Sequence, residues 1–200
     1  MNLVQRAKNI VLTPKSEWEA IAAETTTPAD LYKGYVAPLA AIGPIASFVG
    51  LTLVGVAIPM MGSYRMPLLS GLANAVVSYV LALVGVFIIS LIIDALAPTF
   101  GGEKNPMQAL KVAAYAYTPA WVASVLLIIP VLSVLVMLAS LYGLYLLYLG
   151  LPVLMKSPRE KAVGYTAVVV ICAIVLGVVF GAVAGALGGA GPGLGQMGMR

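Results

Sequence analysis

Histidine is absent from this 200-residue chain, and cysteine occurs once, as Cys172. Without histidine there is no Ser-His-Asp triad, no His-liganded zinc or haem, and no imidazole to change charge near neutral pH. A single cysteine excludes an intrachain disulfide, a CxxC redox pair and a cysteine-ligated iron–sulfur cluster. Charge is scarce as well. Asp, Glu, Lys and Arg make up 9% of the residues, against about a quarter in a typical soluble domain. That deficit excludes a water-soluble globule. Phosphate loops, Walker motifs and dinucleotide fingerprints are missing, and Gly101-Gly102 is only a turn. The composition predicts an all-α integral membrane protein that is not an enzyme and carries neither cofactor nor metal.

What the chain does have is length of apolar run. A helix crosses a bilayer with about 20 predominantly apolar residues, and five stretches qualify: 35–61, 68–97, 109–129, 131–155 and 161–187. The third and fourth come from one apolar block, which as a single helix would be about 70 Å long, twice the bilayer core. It has to fold back, and Pro130, which lacks an amide donor and disfavours helix at the preceding residue, marks the turn. One bent span with a re-entrant piece is the alternative. The expected domain plan is a bundle of five transmembrane helices over 35–187. An amphipathic cytoplasmic segment, 1–34, precedes it, and a flexible Gly-rich tail, 188–200, follows.

The cations set the orientation. Arg6, Lys8, Lys15, Lys33, Lys104, Lys111, Lys156, Arg159 and Lys161 fall on one side of such a bundle, Arg65 and Arg200 on the other. Nine against two places the N-terminus in the cytoplasm and the C-terminus outside, in a multi-pass protein of the cell inner membrane. The net charge of +4 is this topology signal and not a nucleic-acid footprint, so the partner expected is the lipid bilayer and no nucleic acid. Helix starts are marked by Thr13-Pro14, Thr27-Pro28, Asn105-Pro106-Met107-Gln108 and Ser157-Pro158-Arg159-Glu160, the last read as a capping box. Thr118-Pro119 falls inside the third span, where it predicts a kink, with the Thr118 hydroxyl available to a freed carbonyl.

Residues 1–34 lack the apolar core and cleavage site of a signal peptide. Leu3, Val4, Ala7, Ile10 and Val11 recur at helical spacing, with Gln5, Arg6, Lys8 and Asn9 opposite. Such a helix either lies flat on an anionic leaflet, with Trp18 at headgroup level, or packs beneath the bundle as a lid.

Within the spans Asp94 is the one carboxylate, and an intramembrane ionisable group is by default a functional candidate. Tyr79, Ser90 and Asp94 share a helix face and could line a polar cavity for a proton, metal or substrate. The other readings of Asp94 are an interfacial acid reaching water or capping a neighbour, and a protein contact. Gly71, Asn74, Ser78 and Gly85, nearly opposite, form a small-residue packing seam. Tyr142, Tyr145 and Tyr148 make an aromatic stripe expected to face into the bundle, as core packing or as the wall of a groove. Gly177, Gly181 and Gly185 continue a strict period of four along the fifth span, a close-packing seam within the chain or between chains, in a homo-oligomer or with another membrane protein.

Several pieces in order resemble the Yip (Ypt-interacting protein) family, in its short prokaryotic branch. They are Thr13-Pro14 with Glu17-Trp18, Phe100-Gly101-Gly102, the run from Tyr115 to Trp121, the run from Leu141 to Pro152, and Lys161-Ala162-Val163-Gly164-Tyr165. The resemblance implies five spans and a cytoplasmic N-terminus. Eukaryotic members associate with Rab-type small GTPases in membrane trafficking. Their Asp-Leu-Tyr-Gly-Pro motif is met here only as Asp30-Leu31-Tyr32 before Lys33-Gly34, so small-GTPase binding is not carried over. The function expected is a membrane scaffold or partner-binding protein. The alternative is a small transporter or channel using Asp94.

Overall fold

The computed structural model describes residues 2–58 and 62–187. The Gly-rich tail expected at 188–200 lies outside the described residues. Two short helices come first, α1 (Leu3–Leu12) and α2 (Pro14–Ala23). Asn2 caps α1 by accepting the Val4 amide at 3.1 Å. Pro14 opens α2 at the position where a missing amide costs nothing, because the first-turn donors have no helical partner.

Five helical spans follow, each long and apolar enough to cross a membrane: Pro28–Val54, Leu68–Phe100, Pro106–Ile128, Pro130–Leu154 and Arg159–Ala186. The protein is a multi-pass membrane protein built as an all-α bundle. The first span starts before the apolar run because helix initiation follows the cap. Thr27 Oγ1 accepts the Asp30 amide at 3.2 Å and donates to Asp30 Oδ2 at 2.6 Å. It stops at Gly55, whose φ of +85° a side chain would strain. Beyond it, Val56–Ile58 pairs antiparallel with Gly62–Tyr64 in a small hairpin. The turn between the third and fourth spans falls at Ile129–Pro130, flanked by two 3-10 turns.

Caps decide the other starts too. Asn105 Oδ1 accepts the Gln108 amide at 3.1 Å, as its motif predicts. The box expected at Ser157 does not form. The chain leaves the fourth span through Lys156 at φ +53°, and Pro158, in extended geometry, flanks the first turn, Arg159–Lys161. Ser157 is therefore one residue too early to reach the turn's amides, and its buried Oγ has no hydrogen-bond partner among the described residues.

The third span is the centre of the bundle and the fifth its periphery. Half of the third span's most apolar window is buried, against 6% of the fifth's. The main core joins α1 and α2 to the ends of the spans, through Ile10, Trp18, Ile21, Val112, Leu146 and Leu151. The expected seam on the second span is real at both ends: Gly71 lies against Thr52 and Phe48, and Gly85 against Phe180. Gly150 admits the Trp18 indole so closely that an added Cβ would stand 2.8 Å from its Cζ2.

Gly150→Ala is expected to destabilise the full chain in detergent by about 1–3 kcal/mol, the usual cost of overpacking. Gly177→Ala, whose Cβ meets nothing within 4 Å, should leave stability unchanged or raise it. Unfolding titrations of the two variants beside the parent check both.

Candidate functional site

At 100° per residue, Arg6 lies only 40° from Ile10 around α1. The face of α1 that turns inward therefore carries a charge. Ile10 is fully buried and Arg6 is 4% exposed, while Val4 and Leu12, on the other flank, are exposed. Arg6 was expected on the solvated side; it is inside. α1 packs against the spans through Arg6, Ala7 and Ile10 and is not a helix lying flat on a leaflet. Trp18, expected at headgroup level, is fully buried.

A buried guanidinium needs partners, and α2 brings them. Arg6 Nη1 donates to Glu17 Oε1 at 2.6 Å, and Arg6 Nη2 donates to Glu24. Asn9 Nδ2 holds the second Glu17 oxygen at 3.1 Å. The Tyr115 ring lies 5.9 Å from the guanidinium carbon, within cation–π range. Burial by itself pulls the Arg6 pKa down, but the hydrogen bond to Glu24 and the surrounding negative charge outweigh it, so the net shift is upward. A cation with a raised native pKa stabilises the fold at every pH below its unfolded value. The Arg6 side of the pair is therefore no switch at working pH.

Lys111, counted above among the loop cations, is also buried, at 2% exposure. Its Nζ donates to the carbonyls of Ile21 at 2.8 Å and Glu24 at 2.5 Å, and Gln108 Nε2 donates to Ala22 at 3.0 Å. These carbonyls end α2 and have no helical partner. A cation there also complements the helix dipole. The end of α1 is treated alike: the Tyr142 hydroxyl donates to Val11 O at 2.7 Å. Tyr142 sits about 18 Å along its helix from the Leu154 end, so α1 reaches well into the bundle. From the cluster an aromatic path leads inward. Tyr35 lies 4.6 Å from Tyr115, and its hydroxyl pairs with that of Thr118 at 2.7 Å. The helix breaks there as Thr118-Pro119 predicts, at Tyr117. Thr118, however, bonds Tyr35 and not a freed carbonyl of its own helix.

The model of the Yip1 domain family matches residues 8–181, from within α1 to the fifth span. The chain belongs to the Yip1 domain family. No curated protein and no solved structure matches it. Of the charges in this cluster, Glu17, Glu24 and Lys111 fall inside the matched Yip1 domain and Arg6 just before it. The residues standing where the family motif would be are structural here. Asp30 gives its amide to the Thr27 cap of the first span, Leu31 is buried, and the Tyr32 hydroxyl donates to Leu83 O at 2.9 Å.

In the Yip1 domain Tyr79, Ser90 and Asp94 have separate surroundings. Tyr79 donates to Ala37 O at 3.2 Å, and Ser90 to Phe87 O in its own helix at 2.7 Å. Ser90 lines a cavity of about 460 Å³ that neither of the others touches. Asp94 Oδ1 is buried without a hydrogen-bond partner among the described residues. The tyrosine stripe divides: Tyr142 holds α1, while Tyr145 and Tyr148 are 42% and 37% exposed. No described residue lies within 4 Å of a Cβ placed on Gly177, Gly181 or Gly185, and Gly177 borders a cavity shared with the second and third spans.

Sequence reasoning missed Glu17, Glu24 and Lys111 as a set. The available signal was Arg6 on the flank of an apolar face, which requires a carboxylate from elsewhere. Arg6→Ala strands Glu17 as a buried charge, and breaking such a pair costs roughly 3–5 kcal/mol. The expected outcome is faster hydrogen–deuterium exchange across α1 and α2, largely reversed by adding Glu17→Gln.

Proposed function

We propose that this Yip1-domain protein is a non-enzymatic scaffold of the bacterial inner membrane, with its N-terminus in the cytoplasm. It engages a second membrane helix, from another copy or another protein, through the fifth span. The observation that carries this reading is that no described residue lies within 4 Å of a Cβ on Gly177, Gly181 or Gly185, on a helix whose most apolar window is only 6% buried. Small residues let helix backbones approach closely and gain dispersion contacts that lipid tails do not replace. The orientation rests on the nine-to-two split of cations.

The interior supports the same reading. Thr52, Ser90, Ser124 and Ser140 each donate to a carbonyl three or four residues back in their own helices. Each of these hydroxyls spends its proton within its own helix. The charged cluster, in turn, holds the N-terminal hairpin to the bundle through contacts already complete within the chain.

The test is a crosslinking and sizing comparison in bilayers of the parent and a Gly181→Leu/Gly185→Leu variant. No described residue lies within 4 Å of a Cβ at these positions, so the variant should keep its stability and lose its associated species. Unchanged association would remove the fifth-span interface. Solute flux in liposomes abolished by Asp94→Asn would replace the scaffold with a transporter.

A further inference from the structure

A second polar cavity, about 420 Å³, opens between α2, the last turns of the fourth span and the turn that begins the fifth. Lys15 and Glu19 line it from α2, Tyr145 and Tyr148 from the fourth span, and Arg159 from the turn. Trp18 closes part of the wall, and Pro152 and Val153 extend it as an apolar strip along the fourth span.

The inventory of groups is lopsided. Lys15 and Arg159 are exposed and form no ion pair or hydrogen bond among the described residues. The hydroxyls of Tyr145 and Tyr148 likewise have no hydrogen-bond partner there. Two cations and two hydroxyls thus face one carboxylate, Glu19. A cationic side chain can only donate, so the complementary ligand is rich in acceptors and carries negative charge. The cavity also lies where a span meets a helix outside the spans and is half polar and half apolar, the character of a site at the membrane–water interface.

We propose that this cavity seats an anionic phospholipid of the surrounding leaflet. Its phosphodiester lies between Lys15 and Arg159, the tyrosine hydroxyls donate to its ester and glycerol oxygens, and an acyl chain follows the Pro152–Val153 strip. The site is separate from the Arg6 cluster and from the fifth-span glycine row, and it stands whether or not the scaffold reading does.

Native mass spectrometry of the full chain, loaded with phosphatidylglycerol or phosphatidylcholine of identical tails, tests it. Phosphatidylglycerol is expected to be retained over phosphatidylcholine. Lys15→Gln and Arg159→Gln should each reduce that preference about fivefold, the weight of one basic residue near an anionic lipid surface. Glu19→Gln should raise it by a similar factor, a direction that loss of structure cannot produce. Lys8→Gln, an exposed cation on α1, should leave it unchanged. Three results overturn the proposal: a preference untouched by both Lys15→Gln and Arg159→Gln, an equal loss with Lys8→Gln, or displacement of the lipid by an equimolar amount of free glycerol phosphate.

Discussion

Arg6 can occupy the inside of an apolar bundle only because two carboxylates reach it, and most of the N-terminal architecture follows from that requirement. Removing an unpaired charge from water costs several kcal/mol, and a buried pair is tolerated only with good geometry and its remaining hydrogen bonds made. Glu17 comes from the first turns of α2 and Glu24 from just beyond its end. Both can meet Arg6 only if α1 and α2 close into a hairpin. The hairpin in turn exposes helix-end carbonyls to a region poor in water, and these are met by Lys111 and Gln108 at α2 and by Tyr142 at α1. Trp18 then fits only because position 150 has no side chain. Each step meets a need the previous one creates.

The same contacts divide the molecule into a held region and a free one. Where α1 and α2 dock, the first and third spans are tied together by an aromatic contact and a buried hydroxyl pair, and the third and fourth reach the hairpin through Lys111 and Tyr142. The break at Tyr117 is part of this region, since it lets the Thr118 hydroxyl meet Tyr35. The fifth span touches the bundle mainly near its start, where Tyr165 stacks on Phe100 and donates to Ile93 O. Of its later turns, Phe180 packs against Gly85, while Gly181 and Gly185 have no described residue within 4 Å of an added Cβ. A scaffold needs this division: one rigid part to fix the geometry and one helix face left available.

Local rules were legible wherever one residue controls its own neighbourhood. Thr27 and Asn105 cap their helices as their motifs predict, Thr118-Pro119 breaks the third span, and Gly71 and Gly85 pack as a seam. Ser157 failed as a cap because the φ of Lys156, a tertiary outcome, moved the first turn by a residue. The tyrosine stripe divided because α1, from far away in sequence, reaches Tyr142 and stops short of Tyr145 and Tyr148. The glycine row carried no direction of its own. Period four gives a smooth face, and only the other helices decide whether that face looks inward.

What the sequence by itself determined is the solvent and the class of fold. With 9% charge and five long apolar runs, backbone polar groups in hydrocarbon must satisfy themselves within helices, and membership of the Yip family was visible in short ordered pieces. Tertiary structure alone decided the fate of the few charges. Arg6, Glu17, Glu24 and Lys111 read as ordinary solvated residues because each is unremarkable in its own segment. Their pairings span 11 to 90 residues of chain, and a charge is stable inside only when a distant partner is folded against it.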